Sequence, residues 1–228
     1  HIASFIKNRE VYPRLYDGVN LRYVDTHAFL RKMDRPHIVE GLRATRQGLV
    51  YIKQWQQSQN IQKPIVTITL RQCDFDQVRN NNISEWLRFV RYLQGLDYYP
   101  VIIPDTDKSL FGTEDLFPGV YIFRECAWNI GLRMALYESS YLNFFVSNGP
   151  LYLATWNNKC SYIAMNILAE GSIIDTEDTY LQVGLKKGDN FKFALPNQRL
   201  SWVSDTYDNI LAEFERFVED DKKTCSKK

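Results

Sequence analysis

The stretch that most constrains the fold runs over residues 63–106, KPIVTITLRQCDFDQVRNNNISEWLRFVRYLQGLDYYPVIIPDT. Ile65 to Leu70 is a run dominated by β-branched residues, which suits a central strand buried on both faces. Pro64 stands at its start, where a missing N–H does little harm. A polar loop follows with Arg71, Asp74, Asp76, Arg79 and three consecutive asparagines, Asn80 to Asn82. Ile83, Trp86, Leu87, Val90, Leu93 and Leu96 then recur at helical spacing, with Asn82 as the cap and Glu85 in the capping-box position. Tyr99 to Ile103 reads as a second strand, closed by Pro104 and Asp105. Strand, helix and strand make a βαβ unit, and ligands of such units sit in the loop at the carboxyl end of the first strand. Arg71, with Arg79 beside it, is where an anionic ligand is expected.

The pattern continues on both sides. Residues 1–38 give no clean period, and a helix is expected over 40–57, with Leu42, Leu49, Ile52 and Trp55 near one face. Beyond the central unit, 104–118 reads as loop and 119–123 as a short strand. Ala127, Ile130, Met134 and Tyr137 give a helix over 125–139. The run LNFFV at 142–146 is the next strand, followed by Ser147-Asn148-Gly149-Pro150 and a helix over 150–156 with proline in its first turn. A buried strand is expected over 161–168, an irregular segment over 175–199, and a closing helix over 205–219. The expected fold class is α/β: a doubly wound, mostly parallel sheet with an N-terminal helical or irregular extension. It divides into an extension (1–62), a Rossmann-like domain (63–219) and a flexible polar tail (220–228).

Composition removes several function classes. The net charge is +1, so no electrostatic case exists for nucleic acid or an anionic membrane as partner. Four cysteines lie far apart without a C-x-x-C pair, which suits reduced thiols in a cytoplasmic setting. All three histidines, His1, His27 and His37, precede the central unit, so a His-rich metal site is not expected. No apolar run approaches the roughly 20 residues that span a bilayer, and no signal peptide opens the chain. A P-loop, a G-x-G-x-x-G and a G-x-S-x-G elbow are all absent. The two D-x-D triplets, Asp74–Asp76 and Asp105–Asp107, are too short a pattern to imply a divalent metal. Neither metal nor cofactor is expected. An opening His in place of Met leaves room for an upstream domain.

Eight further positions complete the candidate site. The Arg71 guanidinium offers a fork matched to phosphate or carboxylate oxygens, or a structural pair for Asp74, Asp76 or Asp105. Asn80 shares its loop. Ser147, Asn148 and Gly149 join a strand to a helix, whose free N–H groups make an anion site or simply a cap. Asp105 ends a strand, where it can hold a ribose hydroxyl, orient Arg71 or cap the next turn. Glu125 and Glu138 bracket a helix as candidate catalytic carboxylates, against the ordinary alternative of solvated surface. Gln198, with Arg199, precedes the last helix and can reach the ligand edge or serve structure alone.

With these residues in place the chain resembles the nucleotide-sugar-binding half of a GT-B-type glycosyltransferase, in particular the fucosyltransferase-like and bacterial surface-polysaccharide groups. The segments that carry the resemblance are VTITLRQ, PVIIPDT, ALYESSYLNFFVSNGP and NQRLSWVSDTYDNI. It implies that Arg71 and the Ser147–Gly149 turn contact a nucleotide diphosphate. It further implies transfer of a sugar from a nucleotide-sugar donor to a glycan acceptor, by a cytoplasmic or membrane-peripheral enzyme of surface-polysaccharide or glycoconjugate synthesis. Gln72 departs from the H-x-R-R motif of fucosyltransferases. Residues 1–62 would then be an extension or the remnant of an acceptor-side domain, completed by an upstream domain or an oligomer. The alternatives are a non-catalytic module that binds a sugar nucleotide or a protein, and a sugar-nucleotide epimerase.

Overall fold

The computed structural model describes residues 42–106, 112–182 and 184–225. The expectations for residues 1–38, for a helix start at Glu40 and for Asp107 lie outside them. In chain order the elements are α1 (Arg46–Ser58), β1 (Ile65–Thr69), α2 (Ile83–Gly95), β2 (Tyr99–Ile103) and α3 (Thr113–Leu116). They continue with β3 (Tyr121–Ile122), α4 (Glu125–Trp128), α5 (Ile130–Ser139), β4 (Leu142–Phe145) and α6 (Leu151–Thr155). Last come β5 (Tyr162–Ala164), α7 (Glu177–Gln182), β6 (Gln198–Leu200) and α8 (Tyr207–Cys225).

The strands form one sheet in the order β3-β2-β1-β4-β5-β6. Every pairing is parallel, with Thr67 of β1 opposite Val101 of β2 on one side and Asn143 of β4 on the other. All five residues of β1 are buried, as a central strand covered on both faces requires. Helices α1 and α5 cover one face, where Ile52, Trp55, Met134 and Tyr137 join the core. Helices α2 and α8 cover the other, where Trp86, Phe89 and Phe214 pack on Phe144 and its neighbours.

Gly48 brings α1 onto α5: a Cβ added there would lie 3.0 Å from the Cβ of Ala135 and 3.3 Å from the Gly131 carbonyl. A polar seam runs under the central strands. Thr67 Oγ1 donates to Asn143 Oδ1 at 2.6 Å, Thr69 and Tyr137 share a hydroxyl contact at 2.8 Å, and Asn143 Nδ2 donates to Tyr137 O at 3.0 Å. Each buried polar group of the seam thus has a partner, which the low-dielectric interior demands.

Several boundaries differ from expectation for local reasons. Helix α1 starts at Arg46 because Thr45 caps it, its hydroxyl accepting from Gly48 N at 3.0 Å; Leu42 precedes it and is exposed. The helix expected over 125–139 is two, because Asn129 leaves helical geometry and its side chain accepts from Leu132 N at 2.9 Å. Such side chains compete with the backbone ladder. Ile130, expected inward, is 65% exposed.

Strand β5 stops at Ala164, two residues before Asn166 turns left-handed at φ 51°. The segment expected to be irregular holds α7 and the edge strand β6, whose sequence QRL lacks the β-branched signal. Helix α8 runs through the expected tail as far as Cys225. Arg199 pairs with Asp220, and Tyr141 donates to Asp221 Oδ2 at 3.0 Å, so both acidic residues are anchored.

The capping box at Asn82 does not form. Glu85 Oε2 instead accepts from Tyr207 N at 2.8 Å, at the start of α8. Asp205, just before α8, accepts from Asn82 N at 2.9 Å and from Trp86 Nε1 at 2.6 Å. The two helices cap each other, which local spacing in either segment could not reveal.

Candidate functional site

The strand order reverses direction between β1 and β4, and in open parallel sheets the crevice outside the carboxyl ends at that point is where ligands bind. A cleft of about 360 Å³ lies there, lined by Arg71, Arg79, Asp105, Arg133, Asn148 and Gly149 with their neighbours. Loops after β1 and β4 therefore meet as the sequence suggests. A larger groove of about 730 Å³ runs beside β6 and α8, past Arg199, Glu213 and Arg216. It is away from the switch point.

Arg71 is 5% exposed, and its fork is largely used inside its own loop. Nη1 donates to Asn80 Oδ1 at 2.6 Å and to the Asp76 carbonyl at 3.0 Å, while Nη2 donates to the Phe75 carbonyl at 2.6 Å. Asp76 holds a left-handed φ of 52° under this clamp, and Asn80 Nδ2 returns to the Cys73 carbonyl at 2.9 Å. Asp105 steadies the same loop by accepting from Gln72 N at 2.8 Å. No carboxylate pairs with Arg71 among the described residues, so its charge is solvated by carbonyl dipoles alone. Of the structural partners open to Arg71 in the sequence, Asp76 supplies only its backbone.

Arg79 bridges the two walls. Its Nε pairs with Asp175 at 2.6 Å, and Nη2 donates to the Ser147 carbonyl at 2.9 Å and hydroxyl at 3.3 Å. Asp175 in turn accepts from Tyr180 at 3.1 Å. Burial pushes the Tyr180 phenol well above its ordinary range, and the Asp175 carboxylate adds to the rise. Arg79 is thus charge-compensated by a carboxylate, unlike Arg71.

The β4 turn is more self-contained than expected. Asn148 Oδ1 accepts from Leu151 N at 3.1 Å, and the N–H groups of Tyr152 and Leu153 donate to the Gly149 and Pro150 carbonyls at 3.1 Å each. Helix α6 is five residues long. Its N–H groups, offered to an anion by the sequence pattern, are spent within the turn. What remains is Asn148 Nδ2, buried without a hydrogen-bond partner. Gly149 is exposed, with open space where a Cβ would stand.

Arg133 is the lining residue not anticipated from the sequence. It sits on the first turn of α5, 6% exposed, and its Nε donates to the carbonyl of Cys126 in α4. Its two terminal nitrogens make no hydrogen bond or ion pair with the described residues. Burial lifts the Cys126 thiol to about 12, while the Arg133 charge pulls it down. The signal was present in GLRMALY, where one cation stands within an otherwise apolar run that is buried from Leu132 to Tyr137.

The remaining candidates fall apart in space. Glu125 opens α4 just beyond β3, on the carboxyl side of the sheet, exposed and outside the cleft lining. Glu138 ends α5 on the amino side, where its Oε1 accepts from Ala44 N and Asn157 Nδ2 at 2.6 Å each. Gln198 opens β6 on the amino side too. Its Nε2 donates to the Asn157 and Cys160 carbonyls at 2.9 and 3.0 Å, and its Oε1 accepts from Leu195 N at 3.1 Å. The chain topology separates both from Arg71. Among the described residues, no cluster of three or more metal-ligating side chains occurs, and no helix is long and apolar enough to cross a membrane.

No protein-family model and no curated protein sequence matches the chain. Two solved structures share its fold. A glycosyl transferase of family 9 from Veillonella parvula superposes with a TM-score of 0.53 at 10% identity, over 78% of this chain and 53% of that one. The ADP-heptose lipopolysaccharide heptosyltransferase II of E. coli superposes with a TM-score of 0.52 at 10% identity, over 79% and 54%. This chain therefore spans about half the length of each. The likeness shows the fold: a Rossmann-like α/β domain of the kind found in GT-B-type glycosyltransferases.

Proposed function

We propose that the protein is a glycosyltransferase that moves a sugar from a nucleotide-sugar donor to a glycan acceptor, as in surface-polysaccharide or glycoconjugate synthesis. The observation that carries this is a cleft at the strand-order switch point lined by two buried arginines, Arg71 and Arg133, that no carboxylate among the described residues neutralises. Such a site favours a ligand that brings its own negative charge, and a nucleoside diphosphate is the natural class for this crevice. In the reaction, positive charge fixed there stabilises the leaving diphosphate as its charge develops.

Residues 63–219 are the donor half in this reading, with Arg79, Asn80, Asp105, Ser147 and Asn148 framing the cleft. The acceptor side comes from an upstream domain or a second subunit. Glu125, exposed on the carboxyl side, is the proposed base toward the acceptor hydroxyl. No metal takes part. A cytoplasmic, membrane-peripheral location fits the free thiols at Cys73, Cys126 and Cys160. Thermal-shift measurements against UDP, GDP, CMP, ADP and dTDP compounds test the nucleotide, since a ligand of the native state raises the melting temperature by mass action. A panel without any shift sinks the donor-binding reading.

A second reading is a sugar-nucleotide-binding module without turnover. It is favoured by the carboxylates: Glu138 is tied up on the far side of the sheet, and Asp105, which lines the cleft, accepts from Gln72 N. Slow release of free sugar from a bound donor by the full chain separates an enzyme from a module.

A further inference from the structure

We infer that Arg133 is the residue that grips the anionic group of the ligand, while Arg71 and Arg79 act as struts that shape the cleft. The inference rests on the nucleotide-diphosphate reading for the identity of that anion, and on the geometry alone for the residue. Of the three arginines, Arg71 spends both terminal nitrogens on Phe75, Asp76 and Asn80. Arg79 spends Nε on Asp175 and Nη2 on Ser147. Arg133 alone keeps both terminal nitrogens without a partner among the described residues, although it is 6% exposed.

A guanidinium set this deep in a cleft, with no counter-ion among the described residues, attracts an anion more strongly than a surface cation does. Its Nε bond to the Cys126 carbonyl fixes the plane of the group, which prepares the remaining fork for two phosphate oxygens. The β4 wall adds an independent sign. Asn148 lines the same cleft, its Oδ1 is committed to Leu151 N, and its Nδ2 is buried without an acceptor. Two unpartnered donors on two walls ask for one acceptor-only group. A diphosphate, with oxygens on both phosphorus atoms, has that chemistry.

Isothermal titration of the full chain with inorganic pyrophosphate and with nucleoside diphosphates tests the assignment. Arg133→Met should weaken both ligands by about 10- to 100-fold, the loss for hydrogen bonds to a charged group. Arg133→Lys should recover part of it, keeping the charge but not the fork. Wild-type affinity in a folded Arg133→Met variant overturns the assignment and leaves the nucleotide reading standing. Arg133-dependent binding of pyrophosphate, with no gain from any nucleoside, sinks the nucleotide reading and keeps Arg133. No binding of either probe ends both. Should the variants not fold, phenylglyoxal mapping of the unaltered protein decides: pyrophosphate should protect the Arg133 peptide, and equal modification with and without it overturns the inference.

Discussion

Polar side chains at the amino and carboxyl edges of the sheet, the two ends of its strands, are satisfied in different ways. On the amino edge, Glu138 accepts from Ala44 N and Asn157, and Gln198 satisfies Asn157, Cys160 and Leu195, so every polar group of that set is closed by protein. On the carboxyl edge, Asn148 Nδ2 is buried without a partner, and the terminal nitrogens of Arg133 line the cleft with none among the described residues. Donors left open on the walls of a cleft mark it as the place for a ligand. The price is stability, since an unpaired buried group costs free energy that the satisfied Glu138 and Gln198 do not lose.

The comparison can be broken by substitution. The largest effect is expected for Arg71→Met, which releases three bonds that hold the loop after β1; stability should fall by about 3 kcal/mol, measured by urea denaturation. An unchanged denaturation midpoint would show that Arg71 is no strut. Glu125→Gln is next, on activity: turnover should drop ~10²-fold at constant donor affinity if Glu125 is the base, with stability unchanged. Glu138→Ala should cost about 2 kcal/mol and leave nucleotide affinity alone. A change in affinity there would erase the distinction between the edges. Gly48→Ala should cost about 1.5 kcal/mol through overpacking of α1 on α5.

The finest test uses two thiols as reporters. Burial raises both Cys126 and Cys160, but Cys126 feels the Arg133 cation and reaches about 12, while Cys160 feels the Glu138 carboxylate and is raised further. Both folded values lie above the unfolded value of 9.0, so above pH 9 the unfolded chain releases protons that the folded chain keeps. The unfolded state then binds fewer protons, and stability must fall as pH rises through that window. Denaturation midpoints at neutral and alkaline pH check the fall. Alkylation followed by peptide mapping should find Cys126 ionising before Cys160, and Arg133→Met should narrow that gap.

Much of this molecule was legible in its residues, because some signals are local. The β-branched run at Ile65, the helical spacing of Trp86, Val90 and Leu93, and the strand at Tyr99 fix a parallel βαβ unit by periodicity and burial alone. That unit also placed Arg71 at a carboxyl end, and the turn after β4 followed from the same logic. Helix α5 hid its role, since the Asn129 cap breaks the period that a continuous helix would show.

Tertiary structure decided the rest, for reasons of sequence distance. Whether a guanidinium is free depends on which acceptors the fold brings to it: Phe75, Asp76 and Asn80 consume Arg71 within its own loop, the distant Asp175 and Ser147 consume Arg79, and nothing among the described residues consumes the ends of Arg133. Likewise Glu125 and Glu138 stand on one helical stretch in the sequence, yet α4 and α5 carry them to opposite ends of the strands. The sequence determined which residues can carry charge at the ends of buried strands. Only packing decided which of those charges stay unpaired, because pairing is a property of neighbours in space.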